Sequence, residues 1–591
     1  MKNIIKEGAL CILAIAGFTI PTGCSSDFLD TVPTGEVSSA SVWKSENLAT
    51  KALNGVYERL YYEDRADPGH TLWDAYTEVM DEDVNWVSGN APILLGSATA
   101  SSGGFSQWWQ CFYEGISRAN DVIANVDKVP DMPDAEKSRY QSECKFIRAY
   151  EYYRLNVLYR GVPIYTEPVA PDKCTKGRST ENEVWQQVIS DCSDVISDPN
   201  VPDKHSVGDP NWGHITKGAA YMLRAKTYMW LKDYAKAEAD FKTITTLGYS
   251  LFPNYKTLFK EANEKNDEFI FVYQYSEDTD CGQFFSWTYG NRNSRGYSWN
   301  NYIPNPAFVD SYECANGKAF NIDDILPGYS SMTPKQRIVF YLRDGLTDAE
   351  KTIEQNVGVD MSKYLNSGNE ARIKMVYENR DPRMTENFIT PYSTYLGGCT
   401  GTDISYTLRW PYRGYDDAAP YDLRTDTNDR FYYLWRKWVA EGTSEIVNQD
   451  TGPTDIPIFR YAEALLGLAE ALNEEGKTDE AIKYVNMVRA RAGVAPLNSN
   501  EYTKVTGQDD LRQRIRNEYA WELAGENHMY FEELRWDTWH QQKFVNGNGM
   551  TEIWGSKKYT NTYMGDYSKI WPIPQAEIER NSNLKQNPGW Y

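Results

Sequence analysis

The strongest constraint on this chain is a helical-hairpin pattern that occurs twice. From Arg460 the sequence runs RYAEALLGLAEALNEEGKTDEAIKYVNMVRAR. Leu465, Leu468, Ala469 and Leu472 share one helical face. Gly476-Lys477-Thr478-Asp479 interrupts the pattern, with Asp479 expected as the cap of a second helix that carries Ala481, Ile482, Val485 and Val488. Small Ala469 and Ala481 stand where two antiparallel axes pass closest, because a larger side chain there would push the helices apart. The stretch from Ala219, AAYMLRAKTYMWLKDYAKAEADFKTI, repeats the device. Ala225 and Ala237 have the same separation, with a turn at Lys232-Asp233-Tyr234.

This spacing resembles the tetratricopeptide repeat, a helix–turn–helix of about 34 residues. Two such hairpins far apart predict a mostly α fold: a tetratricopeptide-like scaffold with long irregular, aromatic-rich insertions, at about residues 250–450. Upstream, Glu46 to Tyr62 reads as a helix with Leu48, Ala52, Leu53, Val56 and Leu60 on one face.

The N-terminus carries targeting information. Lys2 and Lys6 precede an apolar run, Ala9 to Ile20, too short to span a bilayer. Pro21-Thr22-Gly23-Cys24 follows. Small residues ending at a Cys resemble a bacterial lipoprotein box, although Pro21 stands where the box usually has an aliphatic residue. The resemblance implies a signal peptide over 1–23, a lipidated Cys24 and a polar tether over 24–42, with one domain over 43–591. Two or more acyl chains suffice for stable anchoring, so the membrane contact expected is the lipid anchor alone.

The formal charge of −22 argues against nucleic acid, which needs a basic footprint. The nine Cys form no CxxC, and the five His give no zinc-ligand spacing. No metal or other cofactor is expected, and the Cys read as small buried apolar groups. Asp426-Thr427-Asn428-Asp429 lacks the spacing and Gly of a calcium loop.

Aromatic residues reach 14%, with 43 Tyr and 19 Trp, and some fall where no core is evident. Trp287, Tyr289, Trp299 and Tyr302 are interleaved with Gly, Asn and Ser between Cys281 and Tyr302. Asp81-Glu82-Asp83 and Asn85-Trp86 precede a Ser/Ala/Gly-rich loop over 94–106. A third segment, Trp410 to Trp435, holds Tyr412, Tyr415 and Tyr421 among charges. A sugar presents a C–H face and a hydroxyl edge, which a flat ring and an amide or carboxylate match. The expected stacking rings are Trp86, Trp287, Tyr289, Trp299 and Tyr302. The expected hydroxyl partners are Asp83, Asn85 and Asn300. Anchoring of these loops on the scaffold is the competing reading of the same rings.

Longer matches point to one family. Asp27-Phe28-Leu29-Asp30, Pro33-Thr34, Trp43 and Ala52-Leu53-Asn54-Gly55-Val56-Tyr57 resemble the start of the SusD/RagB family. Trp109, Tyr113, Ile116, Ala119 and Asn120 fit its early helix. Arg148-Ala149-Tyr150 and Gly161-Val162-Pro163 follow in its order. So do Asp455-Ile456-Pro457, Arg460-Tyr461-Ala462-Glu463, Arg489, Arg491-Ala492-Gly493, Glu518, Glu522, Gly525-Glu526 and Leu534-Arg535-Trp536. Trp571-Pro572-Ile573-Pro574 and Asn583 to Gly589 are similar to its terminal signature. Tyr519 and Asn527 depart from it, standing where the family often has Arg and, nearby, Gly or Arg.

The resemblance implies a cell-surface lipoprotein of the outer membrane that captures oligosaccharide or polysaccharide without cleaving it. It also implies a lid role on a partner TonB-dependent barrel of the SusC type, with the repeat face on the barrel and the loop face holding sugar. Two alternatives stay open: a protein-interaction scaffold lid that binds no glycan, and a helical glycoside hydrolase. The latter needs two carboxylates about 5–5.5 or 6.5–9.5 Å apart, and Asp81 with Asp83 is the pair to test. No GxSxG or phosphate loop occurs.

Overall fold

The computed structural model describes residues 42–65, 73–85, 87, 91–278, 281–414, 416–425, 430–446 and 451–590. The expected signal peptide, Cys24 and the tether up to residue 41 lie outside them, as do Trp86, Tyr415 and Asp426 to Asp429.

Among the described residues, ten helices outside the insertion form the frame: α1 (Glu46–Arg65), α2 (Gly103–Asn125), α3 (Asp134–Tyr159), α4 (Glu181–Ser197), α5 (Lys217–Trp230), α6 (Tyr234–Ile244), α7 (Tyr461–Glu474), α8 (Thr478–Ala492), α9 (Gln508–Glu522) and α10 (Met529–Trp536). Each of α1 to α6 packs on the next but one or the next along the chain, and α6 packs on α7. The two hairpins read from sequence are α5–α6 and α7–α8. All four spaced alanines, Ala225, Ala237, Ala469 and Ala481, are fully buried. The hairpins are direct neighbours although more than two hundred residues separate them in sequence. Gly467 on α7 allows the approach: a Cβ there would lie 2.5 Å from Phe241 Cζ on α6, far inside van der Waals contact.

Local sequence sets the helix ends. Thr180 and Glu183 form a reciprocal capping box at α4, which satisfies two N–H groups that the helix itself cannot. Gly476 turns the α7–α8 hairpin with φ +77°, a conformation that favours glycine. Asp479 is not the cap of α8. Lys477 occupies that place, and Asp479 sits in the first turn, where its charge favours the helix N-terminus.

Among the described residues, eight short strands pair two by two, all antiparallel: β1 (Met80–Glu82) with β3 (Tyr302–Pro304), β2 (Phe269–Tyr273) with β8 (Ile456–Arg460), β4 (Phe388–Ile389) with β7 (Leu434–Trp435), and β5 (Thr394–Gly397) with β6 (Ile404–Thr407). The insertion leaves the frame through β2 and returns through β8, which runs directly into α7.

Charges fill the base of the insertion. Arg460, at the junction of β8 and α7, contacts Glu268 (2.7 Å), Glu522 (2.6 Å) and Glu526 (2.7 Å). Arg383 contacts Asp381 (2.7 Å), Glu518 (2.7 Å) and Glu522 (3.0 Å). Arg491 adds Glu268 at 2.9 Å and Glu522, and Arg489 adds Glu518 at 3.0 Å and Glu313. Burial pushes the Glu522 carboxyl up, but Arg491, Arg460 and Arg383 outweigh it and hold it at about 2. Removing one member of such a network strands a buried charge, at about 3–5 kcal/mol. Most of the sequence signature around residues 460–526 is therefore a structural joint.

The seven cysteines of the described residues are all free thiols. Cys111, Cys144, Cys192 and Cys399 are buried as expected, whereas Cys174 and Cys281 are exposed. Asn527 has φ +65°, a left-handed backbone that Asn tolerates better than most residues, so it serves where glycine would. Tyr519 packs edge-on to Trp536, with ring centroids 5.5 Å apart. Both departures from the family pattern are thus accommodated in packing.

Candidate functional site

The insertion folds back so that segments distant in sequence meet. β1–β3 pairing continues one step, with the Asp83 N–H donating to the Asn301 carbonyl at 2.7 Å. This brings the Asp83-Asn85 turn against the Trp299-Asn301 return. A short helix, Phe285–Tyr289, precedes that return. Backbone bonds from Trp299 to Trp287 (2.9 Å), Asn300 to Gly290 (2.8 Å) and Asn301 to Thr288 (2.7 Å) fasten the return to the end of this helix. The loop between them turns through three left-handed residues, Gly296 (φ +79°), Tyr297 (+60°) and Asn300 (+53°). Such conformations persist in non-glycine residues only where the surroundings hold them.

The third segment closes the site from the other side. The buried Asn293 donates from Nδ2 to Asp416 (3.2 Å) and accepts from the Arg424 N–H (2.6 Å). Arg424 in turn pairs with Asp416 at 2.5 Å. Arg430 reaches Asp83 at 3.4 Å. All three aromatic segments read from sequence therefore join one surface.

The residues within it differ in access. Trp299 is 39% exposed, and Trp287, half-buried, meets it edge to face with centroids 5.8 Å apart at 85°. Together they make a corner of two indoles. Asn85 is exposed. Asp83 is buried: its Oδ1 accepts from both the backbone N–H (2.9 Å) and Nδ2 (2.7 Å) of Asn85, so it orients Asn85 and offers little of itself.

Two rings correct the sequence reading. Tyr289 is 0% and Tyr302 2% exposed. Tyr289 stacks on Trp435 at 4.9 Å and meets Tyr302 edge-on at 6.1 Å. The short helix and β3 turn these two rings inward, so neither offers a face to a ligand. Asn300 is also buried, and its role as a surface hydroxyl partner is corrected to shaping the left-handed turn. Its Oδ1, with Asn291 Nδ2 and Ser298 Oγ, makes no hydrogen bond among the described residues. These polar atoms lie in the loop that carries the ring corner.

Tyr297, not singled out from sequence, is 40% exposed. Burial of its hydroxyl, then nearby Cys399 and Asp416, raises its pKa, with Arg424 opposing. Its place directly after Gly296 at a loop apex was the available signal. The surface thus combines three accessible rings with Asn85, Asp416 and Arg424 as polar partners, a composition suited to an amphipathic ligand with a flat C–H face.

Asp81 and Asp83 do not flank an open cleft. Asp81 is 1% exposed, held by Lys543 Nζ at 2.8 Å and Asn305 Nδ2 at 2.6 Å. Among the described residues no group of three or more His, Cys, Asp or Glu is arranged to hold a metal, and no helix is long and apolar enough to cross a membrane.

Fold and surface together define a helical-repeat scaffold whose large insertion displays an aromatic face. A model of the SusD family matches residues 267–590, more than half the chain, and the chain belongs to that family. A second family model, described as starch-binding associating with outer membrane, matches residues 27–229. SusD-like protein P25 of Formosa agariphila is 24% identical over 601 residues, covering 95% of each chain. The starch-binding protein SusD of Bacteroides thetaiotaomicron is 23% identical over 483 residues, covering 79% of this chain and 75% of its own. Among solved structures, a SusD-like protein of Bacteroides fragilis superposes with a TM-score of 0.74 at 22% identity, over 95% of this chain and all of the other. A laminarin binding SusD-like protein gives a TM-score of 0.62 at 19% identity, over 93% of this chain and all of the other.

Proposed function

We propose that this protein is a cell-surface lipoprotein of the outer membrane that captures an oligosaccharide or polysaccharide on the Trp287–Trp299 corner. It passes the glycan to a SusC-like TonB-dependent transporter and cleaves nothing itself. The observation that carries the reading is the pair of perpendicular indoles, with Tyr297 and Asn85 beside them, on a loop fastened by backbone bonds. Trp299 stacks on the C–H face of a sugar ring, and Asn85, Asp416 and Arg424 bind its hydroxyl edge. Trp86, outside the described residues, is proposed as a further stacking ring. Cys24 supplies the lipid anchor, and the helical frame is left for the barrel. The starch-binding family matched over residues 27–229 and the similarity to a laminarin binding SusD-like protein support the glycan class.

The test is affinity electrophoresis of the chain beginning at Ser25 in gels of neutral and acidic polysaccharides, with product analysis of the same samples. Retardation by one glycan class, lost in Trp299→Ala and without cleavage, supports capture. Cleavage supports the hydrolase. Absence of retardation in every gel favours the scaffold lid.

A further inference from the structure

A second cleft, lined by none of the residues of the aromatic face, opens between α9, the end of α10 and the segment after it. It encloses about 320 Å³, a volume typical of small-molecule sites. Gln513, Arg516, Asn517, Ala520 and Trp521 line it from α9, at the spacing of one helical face.

Arg516 stands out on this wall. The guanidinium groups of Arg512, Arg516 and Arg535 share two neighbouring carboxylates, Glu470 and Glu474, and both are taken. Arg535 holds the two oxygens of Glu470 at 2.8 and 2.7 Å, and the Trp536 indole N–H donates to the same carboxylate at 2.8 Å. Arg512 holds Glu474 at 2.8 Å. Arg516 is left over the Trp536 ring at 5.3 Å, which offers its N–H groups no oxygen acceptor. Its Nε is buried without a partner. The rest of the guanidinium is accessible, since the side chain is only half-buried, and Nη1 and Nη2 make no hydrogen bond or ion pair among the described residues. Burial, opposed by Glu470, lowers its pKa, yet a guanidinium stays charged in a protein. A partly desolvated charge without an acceptor is unfavourable, and an anion in the cleft would offset that cost.

The remaining walls suit a hydroxylated ring. Gln542 and Asn546 face the cleft from a π-helical segment, His540–Asn546, a rare geometry concentrated at functional sites. Gln513 Nε2 donates to Asn517 Oδ1 at 2.8 Å, and Asn546 Nδ2 donates to Gln542 Oε1. These bonds leave Asn517 Nδ2 and Gln542 Nε2 to donate and Gln513 Oε1 to accept. Trp521 and Trp536 supply ring surface. Glu78 and Glu533 also border the cleft, but they share a side-chain hydrogen bond with each other.

We propose that this cleft binds an acidic sugar, a hexuronate, with its carboxylate on Nη1 and Nη2 of Arg516. The planar guanidinium fork matches a carboxylate with two parallel N–H···O bonds. The C–H surface of the sugar meets the indoles, and its hydroxyls meet the amides. A neutral sugar would leave Arg516 without an acceptor. A bare anion would leave the amides and most of the volume unused.

The test is isothermal titration of the full chain with glucuronate, galacturonate, glucose, glucose 6-sulfate and sodium acetate. Saturable binding of at least one uronate is expected, about tenfold or more tighter than glucose, acetate and the sulfate ester, since a hydrogen-bonded charge contributes at least that much. Arg516→Gln is expected to remove this preference with the unfolding midpoint retained, because Arg516 has no partner within the protein to lose. Asn517→Trp, which fills the cleft and keeps the guanidinium, is expected to weaken uronate binding by about tenfold or more. Trp299→Ala is expected to leave it unchanged, which separates this site from the proposed glycan face. No uronate binding, equal affinity for glucose or acetate, tighter binding of the sulfate ester, or insensitivity to both cleft variants would each overturn the proposal.

Discussion

Gly467→Ala probes the contact that joins the two hairpins across the insertion. Gly467 lies within α7, where exchanging Gly for Ala should by propensity alone stabilise a helix by about 1 kcal/mol. The added Cβ would stand 2.5 Å from Phe241 Cζ and 2.9 Å from both Cε atoms, against about 3.5–4.0 Å for carbon contacts. Phe241 is 1% exposed, so its ring can shift only by displacing close-packed neighbours. Overpacking of this kind costs about 1–3 kcal/mol. Taking about 2 kcal/mol against the propensity gain, the expected net loss is about 1 kcal/mol, read as a lowered urea midpoint with unchanged slope. In a Phe241→Leu background the clash is relieved, and Gly467→Ala should become stabilising. A raised midpoint for Gly467→Ala in the native background would refute the reasoning, since it would mean that α6 and α7 are not in this contact.

Three further outcomes follow from the site and the buried charges. Burial opposes ionisation of Glu522 and Glu463, but their cationic partners hold both at about 2, below the ordinary carboxylate value. Their contribution is therefore present above about pH 4.3 and lost as pH falls toward 2, on the order of 3 kcal/mol for a fully buried group with such a shift. Acid titration of Glu522→Gln should show a flatter loss, and an equally steep one would contradict the assignment. Asp455 behaves in the opposite sense. Burial and then Glu264 raise it to about 8, while the Tyr275 N–H bond opposes. The native protein should thus lose stability from about pH 4 up to 8, and Asp455→Asn should gain on it across that window; a constant difference would count against this. Finally, Tyr289→Phe should retain full retardation in glycan gels where Trp299→Ala loses it, and equal losses would show that the buried ring matters to binding after all.

Much of the frame was legible in the sequence. The spacing of Ala225 with Ala237 and Ala469 with Ala481 records how closely two helices must pass, and such local periodicity survives in one dimension. The segments 83–86, 287–302 and 410–435 could likewise be recognised as aromatic, polar and poorly periodic. Which rings point outward was not legible. Tyr289 and Trp287 are two residues apart in the same short helix, yet one stacks on Trp435 and the other meets Trp299 at the surface. The direction of each depends on where β7 and β3 come to lie.

The carboxylates show the same division. Glu518 and Glu522 follow the four-residue spacing of a helical face, which the sequence reveals, but their partners Arg383 and Arg460 arrive from distant segments. Glu78 and Glu533 had no reading at all, because nothing in a linear order of residues marks two acids as neighbours. The sequence by itself determined the helical hairpins, the family and the aromatic character of the insertion, since each is written in local spacing or composition. The tertiary structure alone decided which rings face solvent, which charges are paired and which acids are left facing each other, because burial and pairing depend on contacts between residues hundreds of positions apart.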